Sequence, residues 1–145
     1  MKNIHIINGP NLNLLEKREP DIYGKQSFEI FFTQLQQSYK VKNIALTLFQ
    51  SNYEGAIIEN IHAQIDKDLI GLIINAGAYT HYSYAIADAL RILSCPILEV
   101  HISNIYSRES FRHVSVLSSL VKGGIFGLGL EGYRLAVEYL LSQNL

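Results

Sequence analysis

The stretch Ile70-Gly71-Leu72-Ile73-Ile74-Asn75 is a nearly continuous apolar run, and after it Ala85, Ile86, Ala89, Leu90 and Leu93 recur at helical spacing. A short run that is apolar at almost every position predicts a strand buried on both faces. The repeat at intervals of three and four predicts a helix with one apolar face. The same pair of signals recurs outward in both directions. Residues 4–8 precede Phe28, Phe31, Phe32, Leu35 and Tyr39, and residues 44–49 precede Ile57, Ile58, Ile61 and Ile65. Residues 97–102 form a fourth run. A fainter one at 122–128 precedes Tyr133, Ala136, Val137, Leu140 and Leu141. Five strands, each followed by a helix, predict right-handed crossovers and a parallel sheet covered on both faces. In 145 residues this is a single domain, residues 1–145. The expected fold class is α/β: a flavodoxin-like three-layer α/β/α sandwich with a five-stranded parallel sheet.

Composition narrows the function classes. Apolar residues make up 48% of the chain and charged residues 17%, against about 25% charged in an average soluble protein. Such a chain buries a core and is not disordered. A formal net charge of −1 offers no basic field to gather nucleic acid or anionic lipid. No apolar run approaches the roughly 18 residues of a membrane helix. The first run is also too short for a signal-peptide core. The single cysteine, Cys95, forms no internal disulfide and no cysteine-rich metal site. The expectation is a cytoplasmic protein with neither membrane nor nucleic-acid partners. The low charge has two explanations: neighbouring subunits cover much of the surface, or that surface is rich in Ser, Asn and Gln.

Folds of this kind bind ligands beyond the carboxyl ends of their strands. Those ends carry Asn8-Gly9-Pro10-Asn11, Ser51-Asn52, Asn75-Ala76-Gly77 and His101-Ile102-Ser103-Asn104. The first connection, residues 9–26, is long for a βα loop and holds Arg18, Glu19, Asp21 and Tyr23, which makes it a lid candidate. Glu99 and His101 alternate along a strand and share a face. A carboxylate there can hold the imidazole's tautomer and favour its protonated form, as a general acid requires. A purely structural Glu–His pair is the equal alternative. Arg108 and Arg112, four apart near the start of an expected short helix, face one way. Taken alone these arginines read as solvated, and Arg18 and Tyr23 as ordinary surface. The case rests on convergence, since Arg18, Arg108, Arg112, His101, His81, Asn11, Asn75 and Tyr23 all fall on or beside one sheet edge. Arginines and free N–H groups there suit a carboxylate, and Asn, His and Ser suit hydroxyls, so the edge reads as a pocket for a small oxygen-rich anion. Tyr23 is a weak base at an ordinary pKa near ~10, and the Arg18 guanidinium favours its phenolate. A tyrosinate base with a histidine acid suggests proton abstraction beside a carbonyl followed by loss of a hydroxyl.

Other signals lead elsewhere. Gly127-Leu128-Gly129-Leu130-Glu131-Gly132 matches a dinucleotide-binding fingerprint, yet too little chain follows for the next strand and its acidic residue. A tight turn and close helix–sheet packing account for these glycines better. A phosphorylated receiver needs acidic residues where Asn8 and Asn75 stand, and a flavin carrier needs a phosphate cradle that residues 8–15 do not make. His5, His62 and His113 lack partners at metal-ligand spacing, so no metal site is expected. Cys95 reads as a small buried filler at the end opposite the ligand edge.

Three blocks carry a resemblance over nearly the whole chain. They are Asn8-Gly9-Pro10-Asn11-Leu12-Asn13-Leu14-Leu15 with Arg18-Glu19-Pro20 and Tyr23-Gly24; Ile74-Asn75-Ala76-Gly77-Ala78-Tyr79-Thr80-His81, continuing to Asp88-Ala89; and Glu99-Val100-His101-Ile102-Ser103-Asn104-Ile105 with Arg108-Glu109 and Phe111-Arg112-His113. In order and spacing these resemble the type II 3-dehydroquinate dehydratases. The resemblance implies dehydration of 3-dehydroquinate to 3-dehydroshikimate through an enolate, with no metal or organic cofactor. It implies Tyr23 as base, Arg18 as the residue that eases its ionisation, and His101 as acid, oriented by Glu99. Asn11 would stabilise the enolate through a water. Asn75, His81 and Arg112 would bind substrate hydroxyls, and the amides of Ile102 and Ser103 its carboxylate. Asp88 would reach a neighbouring subunit's site in a homo-oligomer, a dodecamer built as four trimers. Two positions depart from the family pattern: Glu16, commonly Gly, and Ala76, commonly Pro.

Overall fold

β1 (Lys2–Asn8), β2 (Ile44–Gln50), β3 (Gly71–Asn75), β4 (Ile97–His101) and β5 (Gly123–Phe126) form one parallel sheet in the order β2-β1-β3-β4-β5. This is the flavodoxin-like strand order. The computed structural model describes residues 1–18, 20–23 and 27–144, and the side chains of Ile22 and Tyr23 lie outside that description.

Alternation along the strands builds two cores. Ile4, Ile6, Ile73, Leu98 and Val100 face α2 (Phe28–Lys40) and α5 (Glu131–Ser142). Ile7, Leu72, Ile74 and Ile97 face α3 (Glu54–His62) and α4 (Tyr84–Leu90). The three central strands are buried on both faces almost throughout, which is why their sequences run apolar without a break. β5 lies at an edge and alternates partly buried with exposed residues, which is why its run is faint.

Helix starts follow local chemistry: Ser27 Oγ accepts from the Ile30 N–H at 3.2 Å and Ser83 Oγ from the Ile86 N–H at 3.1 Å, capping α2 and α4. Two helices end sooner than their apolar spacing predicts. Three-residue hydrogen bonds such as Gln64 N–H to Ile61 O and Leu93 N–H to Leu90 O tighten the chain after α3 and α4, leaving Ile65 and Leu93 beyond the helices.

The expectation of a helix after every strand fails between β4 and β5. That connection holds two short 3-10 turns, Ile105–Ser107 and Ser110–His113, and no α-helix. Ser and Asn side chains there bond to nearby backbone, as Asn104 Oδ1 does with the Tyr106 N–H at 3.1 Å, and so favour turns over a continuous helix. The glycine-rich segment is a turn, as read: Gly127 and Gly129 have φ of 82° and 64°. Cys95 is only partly buried, beside the second core, so the filler reading holds in part.

Candidate active site

The carboxyl ends of β1, β3 and β4 open into a cleft lined by Pro10, Asn11, Arg18, Asn75, His81, His101, Ile102, Ser103, Arg108 and Arg112, with Leu12, Gly77, Ala78 and Ile105 between them. The pleat carries Glu99 and His101 to the same face. Both are buried, and His101 Nε2 donates to Glu99 Oε2 at 2.5 Å. The other carboxylate oxygen accepts from Ser115 Oγ at 3.0 Å and Ser118 Oγ at 3.3 Å. Glu99 is thus held on both oxygens. Engagement of Nε2 leaves His101 Nδ1 as the ring nitrogen not committed to the carboxylate.

His81 stacks near His101, with ring centroids 6.4 Å apart and planes 20° apart. Its Nδ1–H donates to the Val114 carbonyl at 2.7 Å, so the neutral ring offers Nε2 as an acceptor. Burial lowers the His81 pKa from its usual value, with the His101 and Arg112 charges adding to this. The Val114 carbonyl and Glu99 oppose the shift.

Arg112 pairs with Glu109 and lies over the Phe111 ring, its guanidinium carbon 4.6 Å from the centroid. Arg108 Nη1 donates to Ser103 Oγ at 3.2 Å. Both arginines reach the cleft through the 3-10 turns and the extended residue between them, not along a helix face as expected. Asn11 adopts a left-handed conformation, φ 69°, and its N–H donates to Asn52 Oδ1 at 3.0 Å. The first half of the long loop is pinned by buried Leu12 and Leu15.

A family model described as dehydroquinase class II matches residues 2–141. The chain belongs to the class II dehydroquinase family. A 3-dehydroquinate dehydratase of Bacillus subtilis (strain 168) is 50% identical over 144 residues, covering 99% of this chain and 97% of that protein. The crystal structure of a type II dehydroquinase from Butyrivibrio crossotus is similar with a TM-score of 0.93 at 48% identity, covering 97% of each chain. A 3-dehydroquinate dehydratase-like protein from Bifidobacterium longum is similar at a TM-score of 0.75 and 28% identity, covering 100% of this chain and 99% of that one.

For this dehydroquinase chain, the fold brings Arg18, Asn11, Asn75, His81, His101, Ile102, Ser103 and Arg112 to one cleft, with Glu99 behind His101. Tyr23 ends α1 (Pro20–Tyr23), and its side chain lies outside the described residues. Asp88 does not join its own cleft; it is exposed on α4 and paired with Arg91 at 3.0 Å. Of the two departures, Glu16 has a buried Oε2 with no hydrogen-bond partner among the described residues, and Ala76 is fully buried. Ser115 and Ser118 escape a reading of the sequence, because only the turn before β5 brings them to Glu99, 16 and 19 residues away along the chain. His5, one of the histidines set aside, bonds Thr47 Oγ1 at 2.6 Å and Asn60 Oδ1 at 2.7 Å. Among the described residues no three His, Cys, Asp or Glu side chains are grouped as metal ligands. No described helix is long and apolar enough to cross a membrane.

Proposed function

We propose that the protein is a 3-dehydroquinate dehydratase, acting in the shikimate route to aromatic compounds, and that it removes water by anti elimination through an enolate. The observation that carries this reading is an imidazole held by a buried carboxylate at a cleft lined by Arg18, Arg108, Arg112 and asparagine. Such a site binds an oxygen-rich anion and delivers a proton to it. Tyr23, which follows Arg18 in the long loop, takes the proton from the carbon beside the substrate carbonyl. The Arg18 guanidinium favours the phenolate that does so. The electron pair passes to the carbonyl oxygen as an enolate, which Asn11 helps to stabilise. His101 then gives the Nδ1 proton to the departing hydroxyl, water leaves, and the new double bond is conjugated with the carbonyl. Asn75, His81 and Arg112 hold the substrate hydroxyls, and the Ile102 and Ser103 amides its carboxylate. Asp88 of an adjoining subunit completes the site in a dodecameric assembly.

The test is the rise in ultraviolet absorbance of the conjugated enone when purified protein meets 3-dehydroquinate, with and without a chelator. Turnover that survives the chelator is expected; no absorbance change overturns the activity. Tyr23→Phe is expected to lower kcat by roughly 100-fold or more, the scale of a lost general base, while leaving KM near the parent value. Near-parental turnover in that variant removes Tyr23 as base.

A further inference from the structure

Tyr133 of α5 is completely buried and has no part in the chemistry above. Its hydroxyl lies between two strand ends: it donates to Asn8 Oδ1 at 2.7 Å and accepts from Asn75 Nδ2 at 3.0 Å. Asn75 Oδ1 in turn accepts from the Gly77 N–H at 3.2 Å. Asn8 and Asn75 are neighbours in register at the carboxyl ends of β1 and β3, and both are buried.

The directions of these bonds are fixed. A phenol has one proton, and Asn8 takes it, so the Tyr133 oxygen meets Asn75 only as an acceptor. The backbone N–H of Gly77 likewise demands an oxygen. Each end of the Asn75 amide is therefore specified by its partner, and turning the amide over breaks both bonds. Burial pushes the Tyr133 phenol pKa well up, so the hydroxyl keeps its proton. The ring is held edge-on to Phe28 at 4.9 Å and near Phe31 at 6.3 Å, which fixes where the hydroxyl stands. One Nδ2 hydrogen of Asn75 is spent on Tyr133. The second belongs to a side chain that lines the cleft.

We propose that Tyr133 is a positioning residue: it locks the Asn75 amide so that an N–H donor, with its orientation settled in advance, meets an oxygen of the ligand. This deepens the proposed function and rests on it for the identity of the ligand. It also gives the glycine-rich segment a use unconnected with nucleotides. The turn at Gly127 and Gly129 sets where α5 begins, and the first turn of α5 carries Tyr133 over the strand ends.

Tyr133→Phe keeps the ring and removes only the tether. With 3-dehydroquinate as substrate it is expected to raise KM about tenfold, the effect of one buried hydrogen-bonding group left loose, with kcat within about twofold of the parent. In an Asn75→Ala background the same change is expected to alter kcat/KM by less than about twofold, because the group it positions is gone. Amide hydrogen exchange in protein carrying 15N-asparagine gives a readout free of turnover. One Asn75 Nδ2 proton is expected to be protected in the parent and exposed in Tyr133→Phe. An unchanged KM, losses that multiply in the double variant, or equal protection in both proteins overturns the proposal. If the parent does not turn over 3-dehydroquinate, the functional reading falls while the exchange comparison still decides the tether. Should Tyr133→Phe fail to fold, Asn8→Ala frees the phenol proton to turn toward Asn75; it is expected to raise KM and expose the same amide proton, and no change in either overturns the proposal.

Discussion

His81 and His101 face one cleft with different hydrogen-bond partners, and this separates their chemistry. Nδ1 of His81 is committed to a backbone carbonyl, whereas Nε2 of His101 is committed to a carboxylate. His81 therefore turns Nε2 to the cleft, whereas His101 turns Nδ1. Burial lowers the His81 pKa below its usual 6.5, so the ring is neutral at neutral pH and loses its acceptor lone pair only when it protonates in more acidic solution. KM for 3-dehydroquinate is therefore expected to be flat above about pH 6.5 and to rise below it. His81→Asn, which keeps an acceptor but does not titrate, is expected to abolish that acid limb; a KM curve of the same shape in both proteins contradicts the assignment. The Glu99–His101 pair was legible because a strand repeats every two residues. The Ser115 and Ser118 hydroxyls that hold Glu99 were not, because no local period links residues so far apart.

Elements dock on the sheet through a few contacts whose cost can be stated. His5 of β1 faces α3, bonding Asn60 on that helix and Thr47 on β2, and burial lowers its pKa, with Lys67 adding to the effect and the Asn60 bond opposing it. The unfolded chain therefore binds a proton at higher pH than the folded one. The stabilising contribution is fully present above the unfolded pKa of about 6.5 and is lost as pH falls through the lower folded value. Half-buried His81, whose pKa is lowered as well, acts in the same direction. The urea midpoint is expected to drop between about pH 7.5 and about pH 5.5, and to drop less in His5→Gln. Close approach of backbones sets a second limit: a Cβ at Gly9 would lie 2.3 Å from the Ala76 carbonyl oxygen, in the turn that presents Asn75. Gly9→Ala is expected to destabilise by about 1–3 kcal/mol, the range for overpacking, and to raise KM by moving that turn. Gly132→Ala would bring its Cβ only to side-chain atoms at 3.4 Å, and is expected to stay within about 1 kcal/mol of the parent in urea denaturation. The α-helices that follow β1, β2, β3 and β5 were legible from apolar spacing. The helix-free crossover after β4 was not, because it is built of short 3-10 turns held by side-chain bonds such as that of Asn104 Oδ1 with the Tyr106 N–H, which carry no apolar period.

At the scale of the whole molecule, the accessible surface is 7506 Å² for 16.4 kDa, which is what a compact monomer of that mass shows, about 7,500 Å². Low charge therefore reflects what covers the surface and not how much surface there is. Tyr53 before α3, and Tyr82, Tyr84 and Ile92 beside α4, are all more than half exposed, on the same side of the sheet as exposed Asp88. Such a face suits burial against another copy. Light scattering at micromolar concentration is expected to return a multiple of 16.4 kDa, twelvefold for the proposed dodecamer, and a monomeric mass contradicts it. The sequence by itself determined the strands, most of the helices and the edge where the site lies. Burial on both faces, helical period and the carboxyl-end rule are properties of neighbouring residues. Only the tertiary structure decided how the site is held. Glu99 with its two serines, His81 with Val114, and Tyr133 between Asn8 and Asn75 join residues 16 to 125 positions apart. Such contacts exist only once the sheet order and the seat of α5 have brought distant strand ends within the 3 Å reach of a hydrogen bond.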